Sequence, residues 1–295
     1  MTELNQIRKA WTHSGRFHPD DVISGAMLQE INNGNVKFIR SRDPATKTLT
    51  DVAFDVGYGK YDHHGLRHGI DPNNVPWCGA TRLWDGGVKN YLFPRDDDEA
   101  AREVFYRKVL VPIALQDNGK RVPRNTPNPM AWVPMMNPGK KYRALQDASY
   151  ENAVHIARQI LPGLVNHARE VAATQKALSK LPKDKEILEI PSNLPGWEEY
   201  VRSNTDAKFA IYPGDKLTPW YAEAVPKKKG PLFSKQVPFP HKWSEQSPVE
   251  IEKETGIPGV LFSHAGGFLS GYKTREAAIR ACKLAIERAE NQKRF

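Results

Sequence analysis

At 295 residues, 39% hydrophobic and 26% charged, the chain carries enough apolar material to fold and is longer than one small domain requires. No run of about 18 apolar residues is present to span a bilayer, and the opening MTELNQIRKAW lacks the apolar stretch of a secretory signal, so a cytoplasmic protein with no membrane partner is expected. Cys78 and Cys282 are too few for a disulfide framework or a thiolate zinc site, which leaves His, Asp and Glu as metal ligands, while a net charge of +9 favours an anionic partner.

In chain order, a first strand leads into His13-Ser14-Gly15-Arg16-Phe17-His18-Pro19-Asp20, and a helix follows from Asp20 to Ile31, where Val22, Ile23, Ala26, Met27 and Ile31 recur at helical spacing. Val36–Arg40 and Val52–Val56 read as strands, so the pattern alternates as in an α/β fold with a parallel sheet. Helices are predicted from Gly79 to about Leu92 and from Glu99 to about Gln116, the second stopping at Asp117-Asn118-Gly119. Prolines at 123, 127, 129, 134 and 138 predict a long loop without regular structure between Val122 and Gly139. A helical stretch from Tyr150 to about Lys180 should kink or split at Pro162-Gly163. Beyond it, Ile187–Ile190, Phe209–Tyr212, Trp220–Val225 and Gly259–Ser263 read as strands and Thr274–Glu290 as a closing helix. The organisation expected is an α/β metal-binding domain over residues 1–148, connector helices over 149–182, and a smaller α/β substrate domain over 183–295.

His13, His18, His63, His64 and His68 crowd into the first 68 residues with acids among them. The first two follow a strand, where open α/β sheets gather their ligands, and Asp55 ends the second of these strands before Gly57, a residue that lets the chain turn sharply. Imidazole and carboxylate donors without thiolate suit Mn²⁺, Mg²⁺, Co²⁺ or Zn²⁺, and a shared acid can fix a pair of ions. Asp117 is a weaker ligand candidate on spacing alone, because an Asp-Asn-Gly turn already accounts for an aspartate there.

These motifs, His-x4-His-x-Asp, Asp-x-Gly at a strand end, Asp62-His63-His64 and a later Asp-Asn-Gly, resemble in their order the DHH phosphoesterase superfamily. Thr12 to Asp20 is most similar to the first motif of the melanocyte-proliferating-gene, or Myg-type, exonuclease family. The similarity continues through Arg42-Asp43-Pro44, Gly79-Ala80 with Leu83, Ala224-Val225-Pro226, Gly256-Ile257-Pro258-Gly259 and Ser263-His264-Ala265-Gly266-Gly267-Phe268, though Tyr58 stands where the family usually has a second glycine. The resemblance implies two divalent cations, Mn²⁺ the first expectation, with His13 and His18 on one ion, Asp20, His63 and Asp117 on the other, and Asp55 bridging. It further implies that His64 faces the phosphate and Asp62 orients the neighbouring histidines, both in catalytic roles, and that His264, Gly266 and Gly267 contact substrate phosphate. Lys273 and Arg275, at the start of the last helix, are candidates for the same phosphate contact.

The function expected is metal-dependent exonuclease cleavage of single-stranded RNA or DNA. One alternative is a small-molecule phosphohydrolase acting on a short oligonucleotide, a nucleotide phosphate or pyrophosphate. The other is a nucleic-acid binding protein without turnover. Lys227-Lys228-Lys229 reads equally as a solvated loop or as a backbone contact.

Overall fold

A computed structural model describes residues 3–64, 69–123 and 128–292, and the chain forms two compact units, Met1–Arg169 and Glu170–Phe295. No helix among the described residues is long and apolar enough to cross a membrane.

The first unit is built on a three-stranded parallel sheet of β1 (Lys9–Thr12), β2 (Lys37–Arg40) and β3 (Val52–Ala53) in the order β2-β1-β3. The helix α1 (Pro19–Ile31) crosses between β1 and β2, and it is buried from Pro19 through Leu28, so its first turn carries two acids, Asp20 and Asp21, into the interior. β3 is shorter than its Val52–Val56 sequence suggests because Asp55 itself turns left-handed, with φ +54°, two residues ahead of Gly57 at φ +77°. Gly57 also has no room for a side chain, since a Cβ there would lie 2.6 Å from the ring of Trp11.

Two predicted helices are each interrupted. The first becomes α2 (Gly79–Leu83) and α3 (Lys89–Leu92), separated by a wider turn in which Gly87 is non-helical at φ +122°. The second becomes α4 (Glu99–Phe105) and α5 (Val111–Asp117), joined through a π-helical turn at Tyr106–Leu110, next to Pro112, which cannot donate to the ladder. The proline-rich segment is not wholly irregular: α6 (Val133–Met136) starts with Pro134 in its first turn, where a missing N–H costs nothing. The helix α7 (Gln146–Leu178) is a single 33-residue element with Pro162 inside it, so the predicted split does not occur. Buried Leu161 and Val165 clamp the turns on either side of the proline, and the boundary between the two units falls within this helix.

The second unit is a five-stranded mixed sheet, β4 (Ile187–Glu189), β5 (Phe209–Pro213), β6 (Trp220–Ala224), β7 (Val260–Ser263) and β8 (Leu269–Tyr272), in the order β4-β5-β6-β8-β7. Its helices are α8 (Trp197–Asn204), α9 (His241–Ser244), α10 (Pro248–Thr255) and α11 (Arg275–Gln292). Phe209, Ile211, Phe239, Trp243 and Tyr272 pack with Ala278, Ala281 and Ala285 of α11 in one core, and Leu188, Trp197, Val201 and Tyr212 form another. The strand β8 and helices α8, α9 and α10 are not among the predicted elements; β8 hides in Leu-Ser-Gly-Tyr, whose small residues give little β signal.

Candidate metal centre

The centre forms where β1 hands the chain to α1. Thr12 closes the strand and donates its hydroxyl to Asp21 Oδ1 at 3.0 Å, and Asp21 Oδ2 accepts both the His18 N–H at 2.9 Å and the His13 ring nitrogen Nε2 at 3.0 Å. Asp21 therefore caps the helix and fixes the histidine loop at once. Asp20, one residue earlier, reaches the start of α2, where Oδ2 accepts the N–H of Gly79 at 3.2 Å. A Cβ on Gly79 would lie 3.1 Å from Asp55 Cβ, so glycine lets the start of α2 close over both acids.

Asp55 arrives from β3, with Oδ2 3.4 Å from His13 Nε2 and Oδ1 2.9 Å from His63 Nε2. The second pair is close but not aligned as a hydrogen bond, and Asp55 Oδ1 has no hydrogen-bond partner. Asp117, at the last turn of α5, brings Oδ2 to 3.3 Å from His63 Nε2 and Oδ1 to 3.9 Å from His18 Nδ1. Asn118 holds that helix end by donating to the carbonyls of Trp77 and Ala114, both at 2.9 Å. Asp62 ties the opposite wall: its Oδ2 accepts the Tyr58 N–H at 2.6 Å and its Oδ1 lies 2.7 Å from His64 Nδ1. His18 and His64 stay about half exposed, with side-chain exposures of 53% and 54%, whereas His13, Asp20, Asp21, Asp55 and His63 are buried and Asp117 is partly buried. His13, His18, Asp55, Asp62, His63, His64 and Asp117 line, with Arg42 and Tyr58, a cleft of about 440 Å³.

The electrostatics follow from four buried carboxylates facing two buried histidines. Burial pushes the Asp55 carboxyl well above its ordinary range, and the charges of Asp20 and Asp21 push it further. Asp117 rises to about 9 for the same reasons, burial first and then Asp20 and Asp55. Asp20 is raised by burial and then by the charge of Asp21, whereas Asp21, which burial alone would raise, is lowered by the combined bonds and charges of His13 and His18. Burial would lower His13, but hydrogen bonds to Asp21 and Asp55 dominate and raise it to about 11.

Asp20 Oδ1, Asp55 Oδ1, Asp117 Oδ2 and His63 Nδ1 are buried with no hydrogen-bond partner, which is expensive unless something else satisfies them. Four trios place one ligand atom each within 4.8 Å of one another: His13-His18-Asp21, Asp55-His63-His64, His18-Asp20-Asp117 and Asp20-Asp21-Asp55. Oxygen and imidazole donors clustered around excess negative charge fit divalent cations. Cys78 is nearby but stays a thiol, since burial and then the charge of Asp20 push it far up.

The structure thus gathers His13, His18, Asp20, Asp55, His63, His64 and Asp117, with Asp62 bonded to His64; His68 lies outside the described residues. Asp21 and two buttressing residues carry no sequence assignment, and Arg42 figures in the sequence only within the Arg42-Asp43-Pro44 similarity, without a role. Asn137, from the proline-rich segment, accepts the Phe17 N–H at 3.0 Å and donates to the Phe17 carbonyl at 2.9 Å, clamping the loop between the two histidines. Arg40, buried under that loop, donates to the Gly15 carbonyl at 2.6 Å and lies 4.7 Å over the Tyr150 ring. The signal for Asp21 was present, as the third residue of a helix whose cap it serves; nothing local marks Asn137, which is 120 residues from Phe17.

In the second unit, His264 opens the tight turn between β7 and β8, where its ring accepts the Gly266 N–H at 3.0 Å and its carbonyl accepts the Gly267 N–H at 2.8 Å. Lys273 and Arg275 sit past the other end of β8, about 13 Å away along a strand of four residues, so they do not share that turn. Arg275 is engaged by Glu189, with Nε 2.9 and 3.0 Å from the two carboxylate oxygens.

Residues 9–286 match the sequence profile of a family described as "Uncharacterised protein family (UPF0160)", MYG1 exonuclease. The MYG1 exonuclease of Mus musculus is 25% identical over 93% of this chain and 84% of its own length. A MYG1 protein of Schizosaccharomyces pombe is 26% identical, covering 98% of this chain and 100% of its own. Among solved structures, a Vibrio pGpG-specific phosphodiesterase aligns with 96% of this chain and 98% of its own at 13% identity, with a TM-score of 0.28, too low to bear on the fold.

Proposed function

The chain belongs to the MYG1 exonuclease family, and from that premise we propose that it releases nucleotides from single-stranded RNA or DNA by hydrolysis assisted by two divalent cations. At the coarser level it is a metal-dependent phosphoesterase that hydrolyses phosphodiester bonds. The observation that carries the finer reading is the set of three buried, partnerless carboxylate oxygens on Asp20, Asp55 and Asp117, with His63 Nε2 facing those of Asp55 and Asp117 at 2.9 and 3.3 Å.

In this reading His13, His18 and Asp21 hold one cation, Asp20, His63 and Asp117 the other, and Asp55 contributes to both. Mn²⁺ is the first candidate, with Mg²⁺, Co²⁺ or Zn²⁺ as alternatives. Bound divalent ions would supply the acidity that makes an attacking water nucleophilic near neutral pH and would offset charge on the phosphate. His64, half exposed and oriented by Asp62, faces the substrate phosphate, and the outer bond from Asp62 keeps the ring in register. Arg42 on the cleft rim supplies a fixed positive charge suited to phosphate oxygens. The turn carrying His264, Gly266 and Gly267 contributes a further substrate contact through the exposed His264 ring, since both glycine amides are donated within the turn.

The test is product analysis of end-labelled single-stranded RNA and DNA with and without Mn²⁺, comparing wild type with Asp55→Asn. Mononucleotide release that requires the metal and vanishes in the variant is expected. Intact polymers alongside cleaved dinucleotides would overturn the exonuclease assignment in favour of a short-substrate phosphohydrolase.

A further inference from the structure

The second unit carries an aromatic and basic surface for which the metal centre has no use. After β6 the chain leaves the sheet at Pro226, runs through Lys227-Lys228-Lys229, and returns so that Pro226 bridges Lys235 and the Lys227 N–H donates to the Ser234 carbonyl at 2.7 Å. This excursion presents Phe233, 82% exposed, edge-on to Phe268, with centroids 6.4 Å apart and planes at 78°. Phe268 in turn lies 4.3 Å from the exposed ring of His264. The Lys235 ammonium sits 5.6 Å over the Phe268 ring and is balanced from below by Glu198 at 3.6 Å and Glu223 at 3.9 Å.

Two features set this patch apart from an incidental exposed phenylalanine. Its rings are held: Gly267 adopts φ +62° where a Cβ would meet the Phe239 carbonyl at 2.9 Å, which fixes the turn carrying Phe268 and His264. The three consecutive lysines are solvent-facing on the same excursion, and the pair from Lys228 to Asp206, 3.2 Å apart between two well-exposed side chains, is too weak to neutralise them. Exposed Phe233 and His264, both packed on Phe268 and set beside a run of cations, match the needs of a single-stranded polyanion whose bases are unpaired.

We propose that Phe233, Phe268 and His264 form a base-stacking platform for a single-stranded oligonucleotide, with Lys227, Lys228 and Lys229 taking its phosphates. The assignment rests on the nucleic-acid reading given under Proposed function and names the surface by which the second unit holds such a substrate. Because every base has a π-face, the platform tolerates sequence, as a nuclease that digests progressively requires.

The experiment uses the full chain with Mg²⁺ and a phosphorothioate-linked oligonucleotide about ten nucleotides long, a length within the range such grooves accommodate, carrying one 2-aminopurine. Stacking quenches that base. Phe233→Ala should weaken binding roughly fivefold to a hundredfold and abolish the quench, and Phe233→Tyr should restore both. Replacing the three lysines by glutamine should lower the slope of log K against log salt by about 2, at about 0.7 per phosphate contact. Leu217→Ser, at an exposed apolar site away from the rings, serves as the surface control.

Absence of any quench in the wild type, or wild-type binding by Phe233→Ala, would overturn the platform. Turnover of an ordinary phosphodiester oligonucleotide, measured on the same preparations, separates the two readings. Hydrolysis without quench removes the platform alone, whereas quench without hydrolysis in any divalent metal removes the nuclease reading and leaves the platform standing.

Discussion

The two units handle charge in opposite ways. In the first, Asp20, Asp21, Asp55 and Asp117 are withdrawn from water around His13 and His63, and several of their polar atoms find no partner. In the second, most of the charge sits at the surface in pairs, Arg275 with Glu189, Lys208 with Glu186 and Glu290, Arg288 and Lys242 with Glu254, and its buried Lys235 is met by Glu198 and Glu223. Buried, uncompensated carboxylates cost stability, while exposed pairs contribute little either way. Strain of the first kind persists where it serves binding, so the contrast separates a unit that gathers ligand atoms from a unit that presents a surface.

The largest effect comes from removing the acid common to the cluster. Asp55→Asn should lower metal-dependent hydrolysis by more than the roughly tenfold to hundredfold that loss of an outer partner costs. In chelator the same variant should melt at a higher temperature than wild type, because it removes a charge that burial and two neighbouring aspartates oppose. A variant that loses activity and also melts lower in chelator would break the claim that this site stores repulsion.

The next effect is the pH response of the metal-free protein. His13 rises from 6.5 to about 11, and Asp117 from 3.8 to about 9. Both folded values lie above the unfolded ones, so the stability each contributes is complete below 6.5 and 3.8 respectively and is lost as pH climbs through 11 and 9. Divalent ions bind the deprotonated forms and therefore work in the other direction. The gap in melting temperature between metal-loaded and chelated protein should widen steadily from acid to alkaline pH; a constant gap would break the assignment of these groups as ligands.

Asn137→Ala should act through position rather than chemistry. It removes two hydrogen bonds to Phe17, each worth about 1 kcal/mol, and frees the loop between His13 and His18. Metal affinity should fall about tenfold, with activity recovering at saturating metal. Recovery failing at high metal would mean that Asn137 touches the substrate instead.

That residue also marks the limit of what the sequence discloses. His13, His18 and Asp55 stood out because they follow or end strands, whereas His63 and Asp117 were marked as ligands only by the family resemblance; the parallel β1, β2 and β3 followed from local alternation. Asn137 was not, because its meaning depends on a contact made across 120 residues. Likewise the π-helical turn at Tyr106–Leu110 comes from Pro112 competing with a buried face, a contest no local pattern scores. Lys273 and Arg275 seemed continuous with the His264 turn in sequence, yet β8 intervenes and separates them.

The smallest effect belongs to the second unit and runs to the acid side. Lys242, Gln246 and Arg288 hold the Glu254 carboxyl down to about 2 from 4.5. The folded value is depressed, so the stability it contributes is present above 4.5 and lost as pH falls through about 2. Glu254→Gln lacks that contribution at every pH, and should melt slightly below wild type at pH 7 and converge with it as the solution is acidified. The shift stays small because solvent screens a group so near the surface, for which Arg288 and Lys242 are also surface cations. Opposite pH slopes from the two units, alkaline loss in the metal-free first and acid loss in the second, would sharpen the contrast; matching slopes would show that one shared charge pattern governs both.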